Sequence, residues 1–201
     1  ATPLLETPEL AEALGVGAVY VKDEGASTTG SFTDRGVALS VTAAREEGAT
    51  AVALPSMGND AQAAAAYAAR AGLDSQSFVP SRTPFVNKAM INVHGGEMSV
   101  VGGRFADAVE AFDDAITDEE WHSLAAFETP FRHEGAKTLA YEIAADLDWT
   151  LPDAIVHPTG HGTGLVGLGK GTNELATLGL VGERPRLYAA QASGCAPLAS
   201  A

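Results

Sequence analysis

The chain has 201 residues, 46% of them hydrophobic, and its 26 acidic side chains outnumber its 12 lysines and arginines to give a net charge of −14. A surface this acidic repels nucleic acid and anionic membranes, and no apolar run approaches the length that spans a bilayer, so neither is an expected partner. The single cysteine, Cys195, excludes an internal disulfide and a cysteine-rich zinc site, and it favours a reducing cytoplasm.

Strand-like and helix-like segments alternate along the chain. The hydrophobic pattern predicts strands at 18–21, 51–54, 77–80, 98–101, 154–157 and 187–191. Helical periodicity, with Gly and Pro at its limits, predicts helices at 34–47, 61–71, 84–94, 105–116, 135–147 and 164–178. Repeated strand-then-helix units predict parallel sheets with helices on both faces. The acidic, irregular segment between Ile116 and Pro130 is the best candidate for a crossing between two lobes.

The loop at 158–164 is the most glycine-rich of three loops that follow a strand and precede a helix. The backbone N–H groups of Gly160, His161, Gly162 and Thr163 could converge on a phosphate at the start of the next helix. The same stretch fits the dinucleotide pattern G-x-G-x-x-G, but the following strand ends without the carboxylate that would hold a ribose. A phosphate cup is favoured, and a purely structural glycine turn remains the alternative.

The other two loops of this kind lie at 25–38 and 55–60, and a fourth concentration of polar groups stands ahead of a helix at 130–138. In the loop at 55–60, Asn59 could donate its amide to a ligand oxygen, or Ser56, Asn59 or Asp60 could simply cap the alanine-rich helix. Before the helix at 135–147, Arg132 suits bidentate recognition of a phosphate or carboxylate, with ordinary salt bridges as the alternative.

Neither the histidines nor the cysteine predicts a metal site or a catalytic nucleophile. The five histidines include no i, i+4 pair of the kind that ligates metal, so no metal site is predicted. No base can be assigned to Cys195, which we expect to be incidental rather than nucleophilic.

Taken together, these stretches resemble threonine synthases of the pyridoxal-phosphate-dependent fold type II superfamily along nearly the whole chain. The family's opening T-P-L stands at 2–4, and its V-K-D-E-G strand end at 21–25. The cofactor-lysine motif T-G-S-F-K-D-R-G matches 29–36 at every position but one, and the S-x-G-N loop matches 56–59. The glycine loop matches 160–164, and the stretch at 134–149 is closer to threonine synthases than to dehydratases or cysteine synthases.

The resemblance implies an α/β architecture of two lobes, each with a mostly parallel sheet flanked by helices. The expected larger lobe comprises 1–35 and 131–201 and is incomplete, because family members run considerably longer. The expected smaller lobe comprises 36–130. Relatives commonly form dimers, so a homodimer is also expected.

The resemblance also implies roles for particular residues. Asn59 would hydrogen-bond the phenolic oxygen of pyridoxal 5'-phosphate, and backbone amides of the glycine loop would bind its phosphate. The residues assigned to the cofactor are Phe32, Asn59, Gly160, His161, Gly162, Thr163 and Gly164. Those assigned to a small phosphorylated amino acid as substrate are Ser56, Met57, Gly58, Arg132 and Lys137.

The chain departs from the family at its central position. The family's Schiff-base lysine falls at Thr33, whose hydroxyl cannot form an imine and is a poor base near neutral pH. The segment 125–129 also lacks the asparagine and serine that the family usually offers to the substrate phosphate. The expected function is that of a threonine synthase-like lyase, which converts O-phosphohomoserine and water to threonine and phosphate, with this chain inactive or impaired because of Thr33. The alternatives are a non-catalytic binding relative, a threonine or serine dehydratase, and, on the weak glycine pattern alone, a nicotinamide oxidoreductase.

The acidic excess and the scarcity of lysine predict adaptation to high salt, with a halophilic archaeon as the source. Concentrated salt screens repulsion between surface carboxylates over a few ångströms. We therefore expect the midpoint of thermal unfolding, measured on the protein at its natural length, to rise as KCl is increased into the molar range. A midpoint that does not change with KCl would contradict this prediction.

Overall fold

The computed structural model describes residues 1–117 and 119–200, and the chain forms two compact units. One unit comprises residues 1–32 together with the chain from 137 onward, and the other comprises residues 33–136. The sequence prediction had placed the corresponding boundaries at 35/36 and 130/131. We refer to the two as the terminal unit and the central unit and describe each by itself.

The secondary structure alternates in the predicted manner. The strands are β1 (Leu4–Glu6), β2 (Tyr20–Lys22), β3 (Ala51–Pro55), β4 (Asp74–Pro80), β5 (Glu97–Val101), β6 (His122–Ser123), β7 (Ala154–Pro158) and β8 (Arg186–Ala190). The α-helices are α1 (Pro8–Leu14), α2 (Thr33–Glu46), α3 (Asn59–Ala71), α4 (Phe85–Val93), α5 (Phe105–Ile116), α6 (Phe131–Ala136), α7 (Thr138–Asp146) and α8 (Thr163–Thr177). Short 3₁₀ helices lie at Glu24–Ala26 and Pro197–Ser200. No helix within 1–117 or 119–200 combines the length and the apolar character that a membrane span requires.

The central unit is built on a parallel four-stranded sheet in the order β5-β4-β3-β6. Successive residues of β3 face opposite sides of this sheet, as the two-residue period of a strand dictates. Val52 and Leu54 pack with α2 and α3, whereas Ala53 packs with Phe112 of α5. The sheet is therefore covered by helices on both faces, which confirms the predicted α/β class.

The backbones of α2 and α6 come into direct contact inside the central unit. A Cβ atom built on Gly36 would lie 2.6 Å from the carbonyl oxygen of Arg132. A Cβ atom built on Gly135 would lie 2.1 Å from the carbonyl oxygen of Arg35. Both distances are far below any allowed contact, so the two helices can cross here only because both positions are glycine.

The terminal unit has two small sheets in its described part. β1 and β2 pair antiparallel, and β7 and β8 pair in parallel. The helices α7 and α8 pack on one another and on the β7–β8 pair, with a core of Leu139, Ala140, Ile143 and Leu168 joined by Ile155 and Leu187. Gly171 permits this packing, because a Cβ atom there would lie 2.8 Å from both Ala140 Cβ and the Lys137 carbonyl oxygen.

The predicted single helix at 135–147 is wrong. The structure has two helices, α6 and α7, which are separated at Lys137. The α6 helix begins after Pro130, and its polar residues carry no hydrophobic period that would have revealed it. The segment between Ile116 and Pro130, predicted as a crossing, instead contributes β6, which pairs with β3 inside the central unit; Asp118 of that segment lies outside the described residues.

The contact between α2 and α6 generates a stability prediction. We expect Gly135→Ala to lower the free energy of unfolding by about 3 kcal/mol, because the added methyl group meets backbone rather than a movable side chain. Gly103→Ala is the matched control in the same unit, since a Cβ atom there meets nothing within 4 Å. Denaturant unfolding of both variants measures the difference, and equal stability would contradict the prediction.

Candidate functional site

The loop after β3 uses its serine to begin helix α3. Ser56 is buried, and its Oγ accepts hydrogen bonds from the backbone N–H groups of Gly58 at 2.9 Å and Ala61 at 3.1 Å. These N–H groups belong to the start of the helix and lack partners within it. The capping alternative raised by the sequence therefore holds for Ser56, while Met57 beside it is exposed.

Asn59, the first residue of α3, is exposed, and its side-chain oxygen Oδ1 accepts a hydrogen bond from α4. Asn87 on α4 donates from Nδ2 to Asn59 Oδ1 at 2.9 Å and to Gln62 Oε1 at 3.3 Å. The approach of Asn87 depends on Gly58, where a Cβ atom would lie 2.9 Å from Asn87 Cγ. Gly58 also has a φ of +141°, a conformation that favours glycine.

Arg132 on α6 is buried, and two protein groups hold its guanidinium. It pairs with Asp60 through Nη2 and Oδ1 at 2.8 Å, and Nη1 donates to the carbonyl oxygen of Leu124 at 2.8 Å. The Asp60 side chain is only 13% exposed, so this is a mostly buried ion pair. The arginine that the sequence assigned to substrate is thus anchored within the central unit.

Thr33 is the first residue of α2 and is buried, as is Asp34 beside it. The helix begins one residue earlier than predicted, so Asp34 lies in its first turn rather than at its cap. A threonine at this buried position offers a hydroxyl where a lysine would offer an amine.

In the terminal unit, the glycine-rich loop leads directly into α8. Gly162 stands at the N-cap with a φ of +97°, and Thr163 begins the helix with its side chain buried. Gly160 is exposed, and the space beside its backbone is open, since a Cβ atom there would meet nothing within 4 Å. Open glycine backbone before a helix N-terminus is the cradle that a phosphate requires, so the residues present fit the phosphate of a cofactor.

Beneath this loop, Gly164 packs against His157 and Phe32. A Cβ atom on Gly164 would lie 2.5 Å from His157 Nε2 and 2.9 Å from the Phe32 ring. Phe32 meets the histidine edge-on, with ring centroids 5.4 Å apart. Burial lowers the pKa of His157, which favours the neutral imidazole, and its Nδ1 lies 3.2 Å from Thr159 Oγ1. This histidine is therefore part of the support of the loop.

Lys137 lies away from that loop in sequence and pairs with α8. Its Nζ contacts Glu174 Oε1 at 3.0 Å and Oε2 at 2.9 Å. Tyr141 donates to the same carboxylate, and its pKa is raised by burial and by that hydrogen bond. The ammonium of Lys137 is thus already matched by a carboxylate within the terminal unit.

The structure brings the predicted residues into two groups. In the central unit, Ser56, Gly58 and Asn59 form one capped turn, and Arg132 pairs with the residue next to Asn59. In the terminal unit, Gly164 packs against both Phe32 and His157, whose rings also contact each other. Sequence reasoning missed Asn87 and Glu174 as partners, because each lies inside a helix with no motif around it. It missed His157, which directly precedes the glycine loop, because the contact with Phe32 is made only through tertiary packing.

The comparisons with known proteins identify the family. The whole chain, residues 1–201, matches the family described as "Pyridoxal-phosphate dependent enzyme". The chain therefore belongs to the pyridoxal-phosphate-dependent enzymes of fold type II, and the cofactor indicated by this membership is pyridoxal phosphate. A crystal structure of a fungal L-serine ammonia-lyase from Rhizomucor miehei is similar over 100% of this chain and 62% of its own, with a TM-score of 0.87 at 23% identity, a likeness of fold.

Among curated relatives, the chain is similar to threonine synthases. It is 37% identical to that of Methanosarcina acetivorans over 201 residues, which is all of this chain and 49% of the relative. It is 35% identical to that of Methanocaldococcus jannaschii over the same length, again 49% of the relative. The chain thus spans about half the length of the curated relatives that it matches.

The burial of Arg132 generates a prediction that separates a structural role from ligand binding. We expect Arg132→Met to lower the unfolding free energy of the ligand-free protein by about 3 kcal/mol, because it leaves the Asp60 carboxylate without its cation. Arg104→Met is the control, since Arg104 pairs with Asp107 but has a side chain that is 75% exposed; it should change stability much less. If Arg132→Met unfolds at the wild-type denaturant concentration, the guanidinium is not a structural anchor.

Proposed function

We propose that the protein containing this chain is a threonine synthase-like lyase of the pyridoxal-phosphate-dependent family, with O-phosphohomoserine and water as substrates and threonine and phosphate as products. The observation that carries the proposal is the similarity to threonine synthases across the whole chain, at 37% and 35% identity in the two archaeal relatives. The motifs at 29–36, 56–59 and 160–164 and the stretch at 134–149 support the same assignment.

We propose the cofactor site on the residues whose motifs resemble those of the family. The N–H groups of Gly160, His161, Gly162 and Thr163 would hold the phosphate, aided by the N-terminus of α8. Asn59 would donate to the phenolic oxygen, and Phe32 and Gly164 would shape the site near the loop. When bound, the cofactor's ring supplies an electron sink for carbanions next to the substrate amine.

The substrate contacts are proposed at two kinds of position. Backbone and side-chain groups of Ser56, Met57 and Gly58 would bind the substrate carboxylate at the start of α3. Arg132 and Lys137 are proposed to attract the substrate's anionic groups through their positive charges. Their guanidinium and ammonium already face Asp60 and Glu174, so their influence would be electrostatic unless those pairs open.

Thr33 separates binding from catalysis in this proposal. A hydroxyl offers no amine to link the chain covalently to its cofactor, and it holds its proton too tightly to move protons to and from the substrate near neutral pH. We therefore infer impaired or absent turnover. The second candidate is a relative that binds pyridoxal phosphate or a phosphorylated amino acid without catalysis, which Thr33 favours.

We also propose a cellular location, a set of partners and an oligomeric state for the protein. A cytoplasmic location is proposed on the single cysteine, and nucleic acid and membranes are not proposed as partners because of the net charge of −14. A homodimer is proposed by resemblance to the family, and the acidic composition supports a halophilic source.

Restoring the lysine tests the proposal. In the protein at its natural length, Thr33→Lys should create a link to pyridoxal phosphate that borohydride makes permanent, detected by mass spectrometry of the peptide. The same variant should release inorganic phosphate from O-phosphohomoserine, whereas wild type should release at least about a hundredfold less, since the general acid–base contribution alone is of that size.

Thr33→Met is the matched control, because it has comparable reach without an amine. It should show neither the covalent link nor phosphate release. A borohydride-stable link in wild type would contradict the inference about Thr33. A lysine variant that links the cofactor but releases no phosphate would contradict the assigned substrate.

A further inference from the structure

Asn87 lies outside every motif that points to the cofactor, yet it fixes the orientation of the residue assigned to the cofactor's phenolic oxygen. An asparagine amide has one acceptor end and one donor end, and either can face a ligand unless a neighbour selects one. Asn87 Nδ2 donates to Asn59 Oδ1 at 2.9 Å, so the acceptor end of Asn59 faces α4. The donor end is then left for another partner, and among the described residues Asn59 Nδ2 donates to no protein atom.

The orientation of Asn87 is itself selected by a second acceptor. Its Nδ2 also donates to Gln62 Oε1 at 3.3 Å, one turn further along α3. Both hydrogens of the Asn87 amide therefore face oxygen atoms of α3. With Asn59 Oδ1 and Gln62 Oε1 placed as they are, turning the Asn87 amide over would put its oxygen against two acceptors, which is unfavourable.

Gly58 makes this arrangement possible. A Cβ atom at that position would lie 2.9 to 3.1 Å from Asn87 Cγ, Cβ and Nδ2. Gly58 of the S-x-G-N loop therefore does more than form the turn. Because it has no side chain, Asn87 can reach Asn59, the first residue of α3.

We propose that Asn87 is a positioning residue for cofactor binding: it holds the Asn59 amide with its NH₂ group available to donate to the phenolic oxygen of pyridoxal phosphate. This inference rests on the proposed function, which assigns Asn59 to that oxygen. Asn87 does not touch the cofactor in this proposal, and it acts through Asn59 alone.

Asn87→Asp tests the proposal with almost no change of shape. An aspartate offers only acceptors, so Asn59 would turn its amide to donate to it and would present Oδ1 to the phenolic oxygen. We expect the dissociation constant of pyridoxal phosphate, titrated by absorbance with the protein at its natural length, to rise about tenfold. The pH at which the bound cofactor's phenol ionises should also rise, because the phenolate loses a donor.

Three comparisons isolate the effect. Asn92→Asp places the same charge on an exposed position of the same helix and should leave the dissociation constant unchanged. Asn87→Ala removes the amide without adding charge and should weaken binding by a smaller factor. In an Asn59→Ala background, Asn87→Asp should have no further effect, because the residue through which it acts is gone. Thermal unfolding without cofactor verifies that each variant is folded.

The outcomes separate the two proposals. If wild type does not bind pyridoxal phosphate, the proposed function fails. If wild type binds it but Asn87→Asp binds equally well, or if the effect of Asn87→Asp persists without Asn59, the role of Asn87 is refuted. Tenfold weaker binding that disappears in the Asn59→Ala background supports the proposal.

Discussion

The direct contact between the backbones of α2 and α6 is the constraint on which the central unit depends. Gly36 and Gly135 each lie so close to a backbone carbonyl of the opposite helix that no Cβ atom would fit there. This crossing brings Arg132 to the position from which it reaches Asp60 on α3 and the Leu124 carbonyl after β6. One close contact thus ties α2, α3, α6 and the edge of the sheet together, and it fixes the start of α2, where Thr33 stands.

The regular elements could largely be predicted from the sequence. The helix α5 was predicted at both ends, and the prediction for α8 was displaced by one residue, because amphipathic periodicity and glycine punctuation are local properties. The predictions missed β1, α1 and β6, which are short and carry little periodicity. They also joined part of α6 to α7, because a six-residue helix with one large apolar residue, Phe131, has no hydrophobic period to mark it.

Of the candidate site, only the loops could be predicted from the sequence. The glycine loop before α8 and the turn before α3 follow from residue types whose backbone preferences are strong. The partners of the charged residues do not follow, because Arg132 and Asp60, or Lys137 and Glu174, are far apart in sequence and meet only through tertiary packing. Arginine and lysine in a polar stretch were therefore assigned to substrate, while the structure gives each a carboxylate of its own.

The glycine loop has a further consequence that concerns ionic strength. The stretch 158–164 contains no lysine or arginine, and the histidine beneath it, His157, favours its neutral form because burial lowers its pKa. A phosphate bound here would be held by short, directional hydrogen bonds from backbone amides. At about 1 M salt, mobile ions screen charges beyond roughly 3 Å, which weakens attraction to distant cations but leaves bonds at contact distance in place. The proposed anion site would therefore keep its phosphate in concentrated salt, the condition that the acidic composition predicts.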